Sequence, residues 1–128
     1  MKSPLDYSLS QFTSALSRLR EGATAAQDDL DKDGVIQRFE FCFELLWKTL
    51  KIFLEDRGLE VRSPKDSLQA ALSQGWITDE EAFLDMLSDR NKTSHIYSRE
   101  ESRKIFDRIK KQYLPRIEAL ASRLQHLR

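Results

Sequence analysis

Leu5, Leu9, Phe12, Leu16, Leu19, Ala23, Ala26 and Leu30 recur at steps of four and three, the spacing that lines one face of an α-helix. This stripe predicts a first helix reaching about residue 30, with Ser3 or Ser8 as its cap and Gly22 as a tolerated weak point. A second helix is expected to start after Gly34 and run to about Arg57, where Gly58 occupies the usual C-terminal stop position. Its apolar set is wide: Val35, Ile36, Phe39, Cys42, Phe43, Leu46, Trp47, Leu50, Phe53 and Leu54. A helix apolar over more than half its circumference needs cover on two sides, so it is either the centre of a bundle or also faces another subunit. Ser63-Pro64 opens a short third helix that Gly75 stops. Thr78 with Glu81, and Ser98 with Glu101, have the spacing of capping boxes. They predict a fourth helix, with Phe83, Met86, Leu87 and Arg90 along one face, and a long fifth one. Pro115 should kink the fifth helix, after which Ile117, Leu120, Leu124 and Leu127 continue the stripe. The fold expected is all-α, an antiparallel bundle of four to five helices in a single domain over residues 1–128.

Composition agrees with long helices: four Gly, three Pro and 33% charged residues leave few turns. Cys42 is the only cysteine, which excludes an internal disulfide, and its apolar neighbours suit a small core residue better than a nucleophile. The first residues, MKSPLDYSLS, lack the apolar centre of a signal peptide, and no stretch approaches a membrane span, so a cytoplasmic protein is expected. Formal net charge is zero, which provides no global field to gather nucleic acid. The distribution is uneven, with nine Lys/Arg against four Asp/Glu over residues 99 to 128. A basic C-terminal helix of this kind can contact phosphates, although a solvated face is the more common explanation of such a run.

Two stretches carry candidate chemistry. DLDKDGVIQRFE, Asp29 to Glu40, satisfies the calcium-loop pattern of an EF-hand, with Asp29, Asp31 and Asp33 before Gly34 and a terminal Glu40. Its surroundings oppose that reading. Asp28 and Ala25 stand where the entering helix normally supplies apolar anchors, and no second loop pairs with it. A polar inter-helix turn, with Asp31 or Asp33 capping the second helix, is the expectation, and no metal site is assigned.

DRNKTSHIYSRE, Asp89 to Glu100, gathers Arg90, Asn91, His95 and Tyr97 within eight residues at the end of one helix and the start of another. Arginine supplies a permanent charge and a fork that matches phosphate. Histidine can take or give a proton at a ribose hydroxyl near neutral pH. On a straight helix positions 90 and 95 lie about 140° apart, whereas Asn91 and His95 share a face. Arg90 and His95 therefore converge only if the helix ends between them or if a second chain supplies one partner. His126 fits no motif and is expected at the surface near a helix C-terminus.

Arg90-Asn91-Lys92-Thr93-Ser94-His95-Ile96-Tyr97 resembles the Arg-x4-His-x-Tyr signature of the HEPN superfamily. More closely, Ile36 to Gly58, Ser63 to Ala71 and Leu84 to Tyr97 are similar, in order, to the blocks of the nucleotidyltransferase substrate-binding proteins, also described as HepT-like toxins. The resemblance spans nearly the whole chain. It implies an all-α homodimer that binds a small, separately encoded nucleotidyltransferase. It also implies a metal-independent ribonuclease, needing no cofactor, whose Arg and His motifs from two protomers share one cleft. Carried onto this chain, His95 is the candidate proton-transfer group, Arg90 the phosphate clamp, and Asn91 the residue that orients phosphate or imidazole. Tyr97 matches the tyrosine to which the nucleotidyltransferase transfers AMP, silencing the nuclease.

Three functions therefore compete: an RNase toxin held in check by its nucleotidyltransferase, a non-catalytic subunit that docks the nucleotidyltransferase and presents its substrate, and a calcium-dependent helical adaptor resting only on Asp29 to Glu40.

Overall fold

The computed structural model describes residues 3–95 and 98–128. The helices are α1 (Pro4–Ala25), α2 (Asp29–Asp56), α3 (Pro64–Ser73), α4 (Glu80–Lys92), α5 (Arg99–Arg108) and α6 (Leu114–Leu127). A 3-10 turn, Thr93–His95, ends α4, and a π-turn, Ile109–Tyr113, joins α5 to α6 in one long helix. The described residues contain no strand. Counted with its π-turn as one rod, α5–α6 is the fifth helix of the expected bundle.

Three of the expected caps are in place. The hydroxyls of Ser3, Ser63 and Ser98 each accept a backbone hydrogen bond at 3.1 Å, from Asp6, Asp66 and Glu101. Gly58 and Gly75 take φ of 80° and 79°, the left-handed conformation that lets Leu59 N–H reach back to Leu54 and Trp76 N–H to Ala71. The fourth helix differs: Asp79, not Thr78, caps α4, accepting from Ala82 N–H at 3.1 Å.

The larger difference lies at the start of α2. Helix begins at Asp29, so the segment Asp29–Glu40 is continuous helix and the inter-helix turn shrinks to Ala26–Asp28. Asp28 is the cap, accepting from Asp31 N–H at 2.8 Å, and the Asp31 carboxylate accepts from Gln27 N–H at 3.0 Å. Carboxylates in the first turn also complement the positive end of the helix dipole. On a helix the side chains of Asp29, Asp31 and Asp33 fan around the axis, so the convergent oxygens of a calcium loop do not form. Leu30 consequently leaves the stripe of α1 and stands 79% exposed on α2.

The wide apolar surface of α2 is covered by this chain alone. Phe39, Cys42, Phe43, Leu46, Leu50, Phe53 and Leu54 are all 0% exposed, packed by α1 on one side and by α3, α4 and α5 on the other. Of the two alternatives its width left open, α2 is the central helix, and Phe43 belongs to the chain's own core. Trp47 is partly buried. Desolvation pushes the buried Cys42 thiol up to about 12, consistent with a packing role.

Pro115 sits at the start of α6 and can donate no hydrogen bond to the preceding turn. The chain responds with a wider turn just upstream, in which Leu114 N–H reaches Ile109 C=O five residues back. The expected kink is thus a π-turn. No described helix is long and apolar enough to cross a membrane.

Candidate functional site

Asp89 and Arg90 are neighbours on α4, and they face opposite ways. Asp89 is 3% exposed and turns inward. Its carboxylate accepts both arms of Arg108, at 2.7 and 2.8 Å, and the hydroxyl of Tyr113. On an ordinary α-helix residues five apart lie about 140° from each other. The i→i+5 geometry of the π-turn stacks Tyr113 almost over Arg108 instead, so both reach one carboxylate. Burial, and then the Asp89 carboxylate, push the Tyr113 phenol well above its usual value. Asp89 likewise holds Arg108 protonated beyond its ordinary range. This closed cluster clamps the end of α4 to the long C-terminal helix.

Arg90 points outward, with its side chain about one-third exposed at 34%. One Nη donates to Glu44 Oε2 on α2 at 2.5 Å, and the other to Asn91 Oδ1 at 3.2 Å. Lys48, one turn along α2, lies 3.6 Å from the same Glu44 carboxylate. Two of the five guanidinium N–H groups are engaged, leaving donor capacity at a partly solvated position. Asn91 thus accepts a hydrogen bond from the guanidinium beside it.

The α-helix ends between Arg90 and His95, as convergence within one chain required. The Thr93 hydroxyl donates to Arg90 C=O at 2.7 Å, and the tighter turn Thr93–His95 follows. His95 is exposed at its end. Among the described residues no hydrogen bond joins Arg90 to His95, so the structure gathers Arg90, Asn91 and Glu44 and leaves the imidazole facing solvent. Tyr97 lies outside the described residues. Beyond it, Arg103 makes a bidentate pair with Asp29 at 2.9 Å, and Arg99 approaches the same carboxylate at 3.3 Å. Arg103 first, with Arg99 beside it, holds the Asp29 carboxyl below its usual range.

The segment carrying the motif is thus moored to α2 at two points, Glu44 for its α4 arm and Asp29 for its α5 arm. Asp29, Asp33, Glu40 and Glu44 follow one flank of α2 beneath it. Neither Glu44 nor Asp89 was legible as a site residue, because their partners lie 46 and 24 residues away. His126 is exposed and bonds Ser122 C=O within α6 at 2.8 Å, a local surface contact.

Residues 7–126 match the family model described as nucleotidyltransferase substrate binding protein like. A curated relative from Haemophilus influenzae (strain Rd), described as a probable ribonuclease HepT, is 33% identical over 81 residues. That alignment covers 59% of this chain and 56% of the relative, so the match spans little more than half of that protein's length. A crystal structure of a protein from Thermus thermophilus superposes with a TM-score of 0.83 at 36% identity. It covers 89% of this chain and 98% of that one.

Proposed function

Because the chain belongs to the family described as nucleotidyltransferase substrate binding protein like, we propose that it is the HEPN-type toxin subunit of a nucleotidyltransferase toxin–antitoxin pair. It acts as a homodimeric, metal-independent endoribonuclease, with Arg90 and His95 of two chains forming one site. The observation that supports this reading is the posture of Arg90: braced by Glu44 and Asn91, yet one-third exposed, five residues before an exposed histidine. A guanidinium held in this way is pre-oriented for a phosphate and stabilises charge that builds on it in the transition state.

In the reaction, His95 takes the proton of a ribose 2′-hydroxyl as its oxygen bonds to phosphorus. The bond from phosphorus to the 5′-oxygen breaks, and that oxygen receives a proton from the second imidazole. Arg90 offsets the charge on the non-bridging oxygens. The partner nucleotidyltransferase silences the site by AMP transfer: the Tyr97 phenolic oxygen attacks the α-phosphorus of ATP and pyrophosphate leaves. The added phosphate then competes for Arg90 and blocks RNA.

Purified protein incubated with structured RNAs in EDTA tests the nuclease. His95→Ala should lower cleavage about a hundredfold or more, and Arg90→Ala by a comparable factor. Cleavage that survives both would put the chemistry elsewhere. Tyr97→Phe should gain no AMP-sized mass with the nucleotidyltransferase and ATP, and should stay active in its presence. A second reading, a non-catalytic subunit that presents a substrate to the nucleotidyltransferase, draws on the zero formal net charge, which gathers no RNA. Absence of cleavage by the unmodified protein, with modification found on a separate acceptor, would favour it.

A further inference from the structure

The carboxylate that braces Arg90 has a second cation on its other oxygen. Glu44 Oε2 takes Arg90 of α4 at 2.5 Å, and Glu44 Oε1 lies 3.6 Å from the Lys48 ammonium. All three side chains reach solvent: Glu44 is 30% exposed, Arg90 34% and Lys48 56%. A Glu–Lys pair four residues apart on a helix is ordinarily a surface contact of small effect. This one differs in two respects. At 3.6 Å Lys48 is beyond hydrogen-bond distance, so its three N–H donors stay uncommitted to Glu44. The short bond of the carboxylate goes instead to Arg90, 46 residues away on another helix.

We propose that Lys48 is a second phosphate-binding residue of this site, and that Glu44 is the positioning residue that aims Lys48 and Arg90 at one anion. The inference rests on the ribonuclease reading above and names two residues of α2 that serve it. Distance supports the pairing. Given the two contacts and the width of one carboxylate, the Arg90 and Lys48 nitrogens stand no more than about 8 Å apart. A phosphate that accepts one hydrogen bond of about 2.8 Å on each of two oxygens spans about the same length, donor to donor. Glu44 thus holds two cations no farther apart than a single phosphate can bridge.

Charge gives the bound strand a direction. The chain as a whole is neutral, so any attraction for a polyanion is local. Arg90, Glu44 and Lys48 together carry one net positive charge. Along this flank of α2 the acidic run Asp29, Asp33, Glu40 and Glu44 ends here, and the next two charges are Lys48 and Lys51. An RNA strand with its phosphate at Arg90 therefore lies toward Lys48 and Lys51 and away from Asp33 and Glu40. Lys48 supplies charge and N–H donors and exchanges no proton, so the bonds made and broken in the reaction stay as written above.

Binding of a fluorescent 2′-O-methyl oligoribonucleotide over a salt series, beside cleavage of unmodified RNA in EDTA, tests this on the full chain. The methyl group blocks the attacking oxygen, so binding is read without cleavage. Lys48→Gln should weaken binding about tenfold, the scale for a charged hydrogen bond at a half-exposed position, and Lys48→Arg should restore most of it. The slope of log affinity against log salt should shrink by about 0.7 in Lys48→Gln, one phosphate contact on a single strand. Lys65→Gln, at an exposed lysine on α3, should change neither. Glu44→Gln should bind no more weakly, because a negative charge is gone, yet lower kcat about tenfold as the two cations lose their common brace. A merely structural Glu44 would leave kcat at the parent's value and overturn the positioning role. Lys48→Gln that matches Lys65→Gln, in a parent that binds and cleaves, would overturn the phosphate contact and leave the nuclease standing. A parent that binds no oligonucleotide would overturn both. Binding that depends on Lys48 in a protein that cuts no RNA would uphold the contact and count only against the nuclease.

Discussion

Two consecutive residues of α4 carry the contrast that organises this molecule. Asp89 is buried, and three of its roughly four acceptor positions are engaged by Arg108 and Tyr113. Arg90 is bonded to Glu44 and Asn91 and still has donors to spare. A buried charge whose partners are all inside the chain holds things together. A charge that is braced but unsaturated can bind something new. The step from one to the other is a single residue, so the rigidity of the first is delivered to the second.

The contrast can be broken most severely at Asp89. Asp89→Ala strips a buried cluster of its only acceptor and should cost about 3 kcal/mol or more in urea unfolding, because the buried Tyr113 hydroxyl and Arg108 lose their partner. A loss below about 1 kcal/mol would show that the cluster is no clamp. Tyr113→Phe deletes one hydrogen bond and should cost about 1–2 kcal/mol at neutral pH. Its pH dependence sharpens the point. The folded phenol titrates above its unfolded value, so its contribution is complete below about pH 10 and is lost as pH rises beyond that toward the folded value. The parent should therefore lose stability in that alkaline window more steeply than Tyr113→Phe. Parallel alkaline limbs would contradict this. Arg90→Ala comes next, with a stability change of less than about 1 kcal/mol, since partly exposed pairs contribute little. Glu44→Gln should be smallest, within about 0.5 kcal/mol by the same melts. If either matched Asp89→Ala, the open pair would be a structural element and the assignment of Arg90 to chemistry would weaken.

What the sequence disclosed depended on whether the determining partner was local. Ser3, Ser63 and Ser98 cap helices whose first turns they precede, and Gly58 and Gly75 end helices two residues after they stop; such signals are complete within a few positions. Arg90, Asn91 and His95 were legible as a motif for the same reason, and their two mooring points on α2 were not. The start of α2 misled because Asp29 to Gly34 is rich in residues that favour turns. Asp28, just before them, caps the helix instead, and their own carboxylates match its dipole. The width of α2 left open a central place in the bundle or a second subunit, and the chain itself buries most of that set.

Helices keep time, and the π-turn corrects the count. Ile105, Ile109, Tyr113 and Ile117 are all buried at three successive steps of four, each of which overshoots a straight α-helix by about 40°. Uncorrected, Ile117 would point about 120° away from Ile105 and leave the core. The wide turn absorbs that drift as one surplus residue, so the phase of α6 matches that of α5 on either side of it. The surplus residue is therefore expendable for the hydrophobic rhythm. Removing the exposed Lys111 would let the rod close as plain α-helix and keep Leu120 and Leu124 in register with the core. It would also bring Tyr113 to within one ordinary turn of Arg108, where both could still reach Asp89.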